Sequence, residues 1–240
     1  ARIDFDHVAF AYGDGAPVLH DVTFTVAPGQ TVAIVGPTGA GKTTLLGLTS
    51  RLREVTGGAV RVDGVDIREL APGDLRRRIA WVAQDLFLFT GTVLDNVRLF
   101  DHSIGEARVW QALETVGAAD FVRALPQGLA SPVEERGGTF SQGERQLLAF
   151  ARALVVEPDV LVLDEATASI DSASEARLQQ ALEVSRRGRT ALVVAHRLST
   201  VRNADAILVL ERGRIVEAGR HDELVRKGGV YAAMLAQAGA

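Results

Sequence analysis

The residues best suited to chemistry are Gly36-Pro37-Thr38-Gly39-Ala40-Gly41-Lys42-Thr43, which fit the phosphate-cradling spacing G-x-x-x-x-G-K-[ST]. Glycines let a loop turn its backbone N–H groups toward an anion, a helix N-terminus adds a positive dipole end, and Lys42 supplies a full charge. Thr43 sets a hydroxyl where a Mg²⁺ ion on the β- and γ-phosphates of a nucleoside triphosphate would sit. A second group of reactive residues ends the run Val160-Leu161-Val162-Leu163-Asp164-Glu165, where four apolar residues deliver two adjacent carboxylates. Charge is costly at the end of a buried strand, so its presence there implies a task. An Asp beside Thr43 can hold hydrated Mg²⁺ through its water shell. Glu165 would then face the terminal phosphate and orient or deprotonate a water.

Both groups need elements to position them, and the flanking sequence supplies these. Thr31–Val35 is β-branched and apolar enough for a buried strand, and Thr44-Leu45-Leu46-Gly47-Leu48 can open a helix, so strand, loop and helix follow in order. Ile3–Phe10 and Val22–Val26 alternate apolar and polar residues as half-buried antiparallel strands do, and Ala59–Val65 adds a third strand ended by Asp63-Gly64. Ile79–Ala83 reads as a core strand. From about Asp95 to Arg136 the spacing turns helical, and beyond it helices at 145–154 and 174–185 alternate with strands at 160–163 and 190–195. Alternation of this kind predicts a mostly parallel sheet covered on both faces. A hairpin turning at Arg212-Gly213-Arg214 and a short helix from about Asp222 close the chain.

Composition removes whole classes of function. The 240 residues are 47% hydrophobic, enough for a core, and carry a net charge of -4, so no general basic field favours nucleic acid. Arg76-Arg77-Arg78 reads as a solvated helix face. With no cysteine, disulfides, zinc–thiolate sites and thiol catalysis are excluded. The most apolar stretch, Leu147 to Leu163, is interrupted by Arg152, Glu157, Pro158 and Asp159, so no transmembrane span is expected. The chain starts at Ala1 without Met, which suggests a piece cut from something longer.

Taken together, the motifs resemble those of the ATPase domains of ATP-binding cassette transporters, and the resemblance covers nearly the whole chain. Phe140-Ser141-Gln142-Gly143-Glu144 stands where that family carries its signature Leu-Ser-Gly-Gly-Gln. Ala168-Ser169-Ile170-Asp171 looks like its D-loop, Gln84 like its Q-loop glutamine, His196 like its switch histidine, and Tyr12 like its adenine-stacking aromatic. The resemblance implies one nucleotide-binding domain over 1–240, with an α/β P-loop NTPase core at about 1–85 and 155–240. An antiparallel β subdomain lies at its N-terminal side, and a helical subdomain is inserted at about 90–155. It implies ATP and Mg²⁺ at Tyr12, Gly36 to Thr44, Gln84 and Asp164, with Glu165 as general base and His196 on the γ-phosphate. The segment Ser141 to Glu144 would face the ATP of a partner domain, so that two domains enclose two nucleotides.

The chain departs from the family in one motif. Gln142 replaces the first signature Gly and Glu144 the signature Gln, which restricts one backbone and puts a carboxylate near an anion site. This variant resembles those of heterodimeric exporters, so a second, different nucleotide-binding subunit is expected as partner. Asp85 to Val93 resembles the segment after the Q-loop in exporters, and Val133 to Gly137 partly resembles their X-loop, a contact to the coupling helices of a transmembrane domain, expected to be fused before Ala1. That places the chain at the cytoplasmic face of a membrane. Other readings are a soluble cassette ATPase acting on DNA or ribosomes, an importer subunit, or a regulatory module that does not hydrolyse.

Overall fold

The computed structural model describes residues 1–83, 87–134, 137–164, 172–195 and 198–238. In chain order the elements are β1 (Ile3–Ala11), β2 (Pro17–Val26), β3 (Thr31–Val35), α1 (Lys42–Thr49), β4 (Gly57–Val62), β5 (Val65–Asp66), α2 (Pro72–Arg78) and β6 (Ile79–Val82). Then follow β7 (Gly91–Thr92), α3 (Val93–Arg98), α4 (Glu106–Thr115), α5 (Ala119–Ala124), β8 (Pro132–Val133), α6 (Gln142–Leu154) and β9 (Val160–Asp164). The last are α7 (Ser172–Arg186), β10 (Thr190–Val194), α8 (Leu198–Arg202), β11 (Ala206–Glu211), β12 (Arg214–Gly219), α9 (His221–Lys227) and α10 (Val230–Ala238).

Two units emerge from this order. The first joins 1–81, 159–167 and 188–240 and holds both larger sheets. One sheet, β2-β1-β4-β5, is antiparallel, with Phe5 of β1 opposite Phe24 of β2 and stacked on it at 4.4 Å between centroids. The other runs β12-β11-β3-β10-β9-β6; the central pairs β11–β3, β3–β10 and β10–β9 are parallel, and β12 closes one edge antiparallel. β3, β9 and β10 are buried at every position, as uninterrupted apolar runs require in a sheet covered on both sides. A single apolar core links the two sheets through α1: Ile3, Phe5, Leu19 and Val60 from one side, Leu45, Leu46 and Leu48 from the helix, Ile34, Val162, Leu192 and Leu210 from the other. The mixed α/β fold, an antiparallel sheet beside a mostly parallel one, is that of the expected class.

The second unit, 82–158 with 168–187, is helical apart from the short β7–β8 pair. Its centre is α6, whose Leu147, Leu148 and Ala151 are buried while α3, α4 and α7 pack around it. β2 begins five residues before the alternating stretch read from sequence, and α2 begins with Pro72 at its first position, where a missing N–H costs nothing. Arg78, at the end of α2, is not a solvated charge: it is paired with Asp63 and, at 3.0 Å, with Asp159. No helix among the described residues is long and apolar enough to cross a membrane.

Candidate functional site

The loop from Gly36 to Gly41 leaves the buried end of β3 and enters α1 without a side-chain cap. Gly36 has φ of 153°, and a Cβ there would lie 2.0 Å from the Leu210 carbonyl oxygen on β11. Gly41, the residue before α1, has φ of 101° and faces Leu19 at 2.8 Å, so both ends of the loop admit glycine alone. The tip of the β11–β12 hairpin supports the loop from behind, Gly213 N–H donating to the Ala40 carbonyl at 3.0 Å. With no capping side chain, the first-turn N–H groups of α1 remain available to an anion.

Lys42, only 8% exposed, curls across the loop and donates to the Gly36 and Pro37 carbonyls at 2.8 and 2.9 Å. Burial pushes its ammonium below the ordinary lysine range, and the charge of Asp164 opposes that shift. Thr43 Oγ1 donates to Asp164 Oδ2 at 2.9 Å, so the two halves of the site read from sequence, 121 positions apart, are in contact. Asp164 is 5% exposed, yet its Oδ1 has no hydrogen-bond partner among the described residues. An orphaned buried carboxylate oxygen next to a threonine hydroxyl is a costly arrangement in isolation, and it fits a hard cation that takes oxygen ligands. Both donors are oxygens and only one is charged, which suits Mg²⁺ better than a thiolate- or imidazole-seeking metal.

Tyr12 follows the end of β1 and is 44% exposed. Its hydroxyl lies 2.8 Å from Thr44 Oγ1 on α1, the buried Phe10 packs edgewise against it, and the Arg53 guanidinium sits 4.6 Å from its ring centroid. Tyr12, the loop from Gly36 to Gly41, Lys42, Thr43, Thr44 and Asp164 all belong to the first unit.

Ser141, Gln142, Gly143 and Glu144 lie in the second unit, at the start of α6. Ser141 accepts the Glu144 N–H and Glu144 accepts the Ser141 N–H at 2.8 Å, a reciprocal capping box. Glu144 is thereby folded onto its own helix end. Gln142 occupies the first position of α6 and is not among the residues with positive φ, so the missing glycine imposes no backbone strain here. A cavity of about 140 Å³ opens beside the cap, lined by Phe121, Ser141, Gly143, Glu144, Leu147 and Arg177. Gln84, Glu165, Asp171 and His196 lie outside the described residues.

Two features of the site were not anticipated. Arg53 meets Tyr12 across 41 positions, and nothing in Arg51-Leu52-Arg53-Glu54 announces it. The second is an exposed apolar platform on the second unit: Phe87, Phe89, Leu99 and Phe100, each at least 42% exposed, with Phe89 in ring contact with Phe87 and Phe100. Leu99 and Phe100 both hold positive φ, 52° and 60°, a strained pair in non-glycine residues. Arg152 anchors the platform from beneath. It donates to the carbonyls of Phe87 (2.8 Å) and Asn96 (2.9 Å), and burial lowers its pKa to about 10.

The family model described as ABC transporter matches residues 19–168. The ABC transporter ATP-binding protein YknV of Bacillus subtilis is 46% identical over 98% of this chain and 39% of its own length. The ATP-dependent lipid A-core flippase of Burkholderia pseudomallei is 49% identical over 96% of this chain and 39% of its own. A solved bacterial Atm1-family ABC exporter with ATP bound superposes with a TM-score of 0.91, at 40% identity, over all of this chain and 42% of that one. The chain thus spans about two fifths of the length of these relatives.

Proposed function

Since this chain belongs to the ABC transporter family, as one of its ATP-hydrolysing domains, we propose that it powers export by a transmembrane partner on the cytoplasmic face of a membrane. The observation that carries the catalytic part is the Thr43–Asp164 contact beside Lys42, with an Asp164 oxygen free to take part in holding a cation. Tyr12 supports the base, and Gly36 to Thr44 the phosphates. Thr43 and Asp164 (the latter through water), with Gln84, would hold Mg²⁺, which would neutralise charge on the phosphates. Glu165, next in sequence to Asp164, takes the proton of an attacking water as its oxygen bonds to the γ-phosphorus. The bond to the β-phosphate oxygen breaks, ADP leaves with that electron pair, and His196 donates to the departing phosphate.

The same proposal divides the chain into the core at about 1–85 and 155–240 and the helical part at about 90–155. Ser141 to Glu144 serves the nucleotide of a second domain, the Ser141 hydroxyl and the α6 N-terminus offering donors, and Asp171 faces that partner. Glu144 is held in the capping box, which supports an anion site that tolerates the carboxylate. The variant motif still favours a different subunit as partner. The apolar platform of Phe87, Phe89, Leu99 and Phe100 is suited to an amphipathic coupling helix. Relatives described as exporters and flippases support export over import.

Glu165→Gln tests the chemistry: ATP binding should persist while turnover drops at least a hundredfold. Turnover that survives the change would dismiss Glu165 as the base. Full activity of this chain as an ATP-dependent homodimer would dismiss the heterodimer.

A further inference from the structure

Tyr12 already has a cation on its ring, the Arg53 guanidinium. Phe10, 5% exposed, meets the Tyr12 ring nearly at right angles, whereas Arg53 is exposed and lies over the ring at 4.6 Å. The hydroxyl contact with Thr44 and the turn that Tyr12 closes, its carbonyl accepting Gly15 N–H at 2.9 Å, hold the ring in place. The neighbouring carboxylate, Glu54, is engaged by Arg51 through two nitrogens at 2.9 and 3.2 Å, and Arg51 also reaches the Leu70 carbonyl. Among the described residues no ion pair or hydrogen bond holds the Arg53 guanidinium, so the aromatic face is its docking point.

We propose that Arg53 is a built-in competitor for the nucleobase: its stacking on Tyr12 is exchanged for that of the purine when nucleotide binds. This rests on the reading of Tyr12 as the base platform. A guanidinium and a purine both need van der Waals contact with the same accessible face, so they cannot share it. Arg53 therefore lowers nucleotide affinity through the base, while its charge, released near the site, favours any polyphosphate irrespective of base. The two effects have opposite sign and are separated by a ligand with no base.

Calorimetric titration with ADP and with inorganic pyrophosphate, neither of which is turned over, separates them. Arg53→Ala should raise the ratio of ADP to pyrophosphate affinity by about two- to fivefold, the scale of an exposed cation–π contact. In a Tyr12→Ala background the same change should leave that ratio unaltered. A ratio that stays constant or falls on Arg53→Ala, with Tyr12 intact, overturns the exchange; a fall would mean that the guanidinium and Tyr12 sandwich the base. If Tyr12→Ala alone leaves the ratio unchanged, the platform reading itself fails, and the exchange with it.

Discussion

Replacing Asp164 with Asn should separate stability from nucleotide binding. Asp164 is nearly inaccessible, with one oxygen satisfied by Thr43 and the other unsatisfied among the described residues. A buried acceptor left without a partner costs about 1–3 kcal/mol, and more when charged. The amide of Asn keeps the Thr43 bond and removes the charge, but it brings two donors needing partners and deprives Lys42 of an opposing charge. The balance is a gain of about 1 kcal/mol for the apo protein, or roughly 2–4 °C in Tm for a chain of this size. Mg²⁺ and ATP at a hundred times Kd stabilise the unsubstituted chain by about 2.7 kcal/mol, and most of that increment should vanish in the variant. Differential scanning fluorimetry with EDTA, and then with Mg²⁺ and ATP, reads both quantities. An Asp164→Asn chain that melts lower when apo and keeps the full ligand increment would refute the view of Asp164 as a carboxylate strained in anticipation of a cation.

Lys42 predicts a pH dependence. Its folded pKa lies below the ordinary 10.5, chiefly through burial, so above that lowered value the unfolded chain binds more protons and apo stability rises with pH up to about 10.5. The urea midpoint of the unsubstituted chain should therefore gain on that of Lys42→Met over this alkaline window, while ADP affinity declines across it as the ammonium is lost; parallel midpoints would count against burial as the cause. Gly36→Ala should cost about 2 kcal/mol or more, because the Leu210 carbonyl 2.0 Å from the new Cβ is sheet backbone and cannot yield cheaply; thermal melting and ADP titration should both show the loss. Arg152→Ala removes the donors to the exposed Phe87 carbonyl and the part-buried Asn96 carbonyl, at about 1–2 kcal/mol, and amide exchange should accelerate over residues 87–100. Protection there that matched the unsubstituted chain would dismiss Arg152 as the anchor of the apolar platform.

What is encoded locally is legible in the sequence, and what is made by approach is not. β3, β9 and β10 were legible because a strand buried on both faces must be apolar throughout, and Thr31–Val35, Val160–Leu163 and Thr190–Ala195 leave no other period. The phosphate loop was legible because its glycines answer local needs, although the reasons lie far away in sequence, at Leu210 and Leu19. Glu144 is read from sequence as a carboxylate near an anion site; a Ser followed three residues later by Glu is also a helix-start signal, and the structure uses it as one. Arg53 and Arg152 escaped because an arginine's partner is chosen by the fold. Three arginines between 51 and 61 illustrate this: Arg51 pairs with Glu54, Arg61 with Asp6, and Arg53 turns to an aromatic ring. The last is brought to its ring as the loop after α1 returns to β1, where Thr56 N–H donates to the Ala9 carbonyl. The same logic explains why the chemistry concentrates where the chain tolerates strain. An unsatisfied carboxylate oxygen, a buried lysine curled on its own loop and a cation over an aromatic ring are each costly internal arrangements, and under the proposed function a magnesium nucleotide would exchange them for contacts of its own.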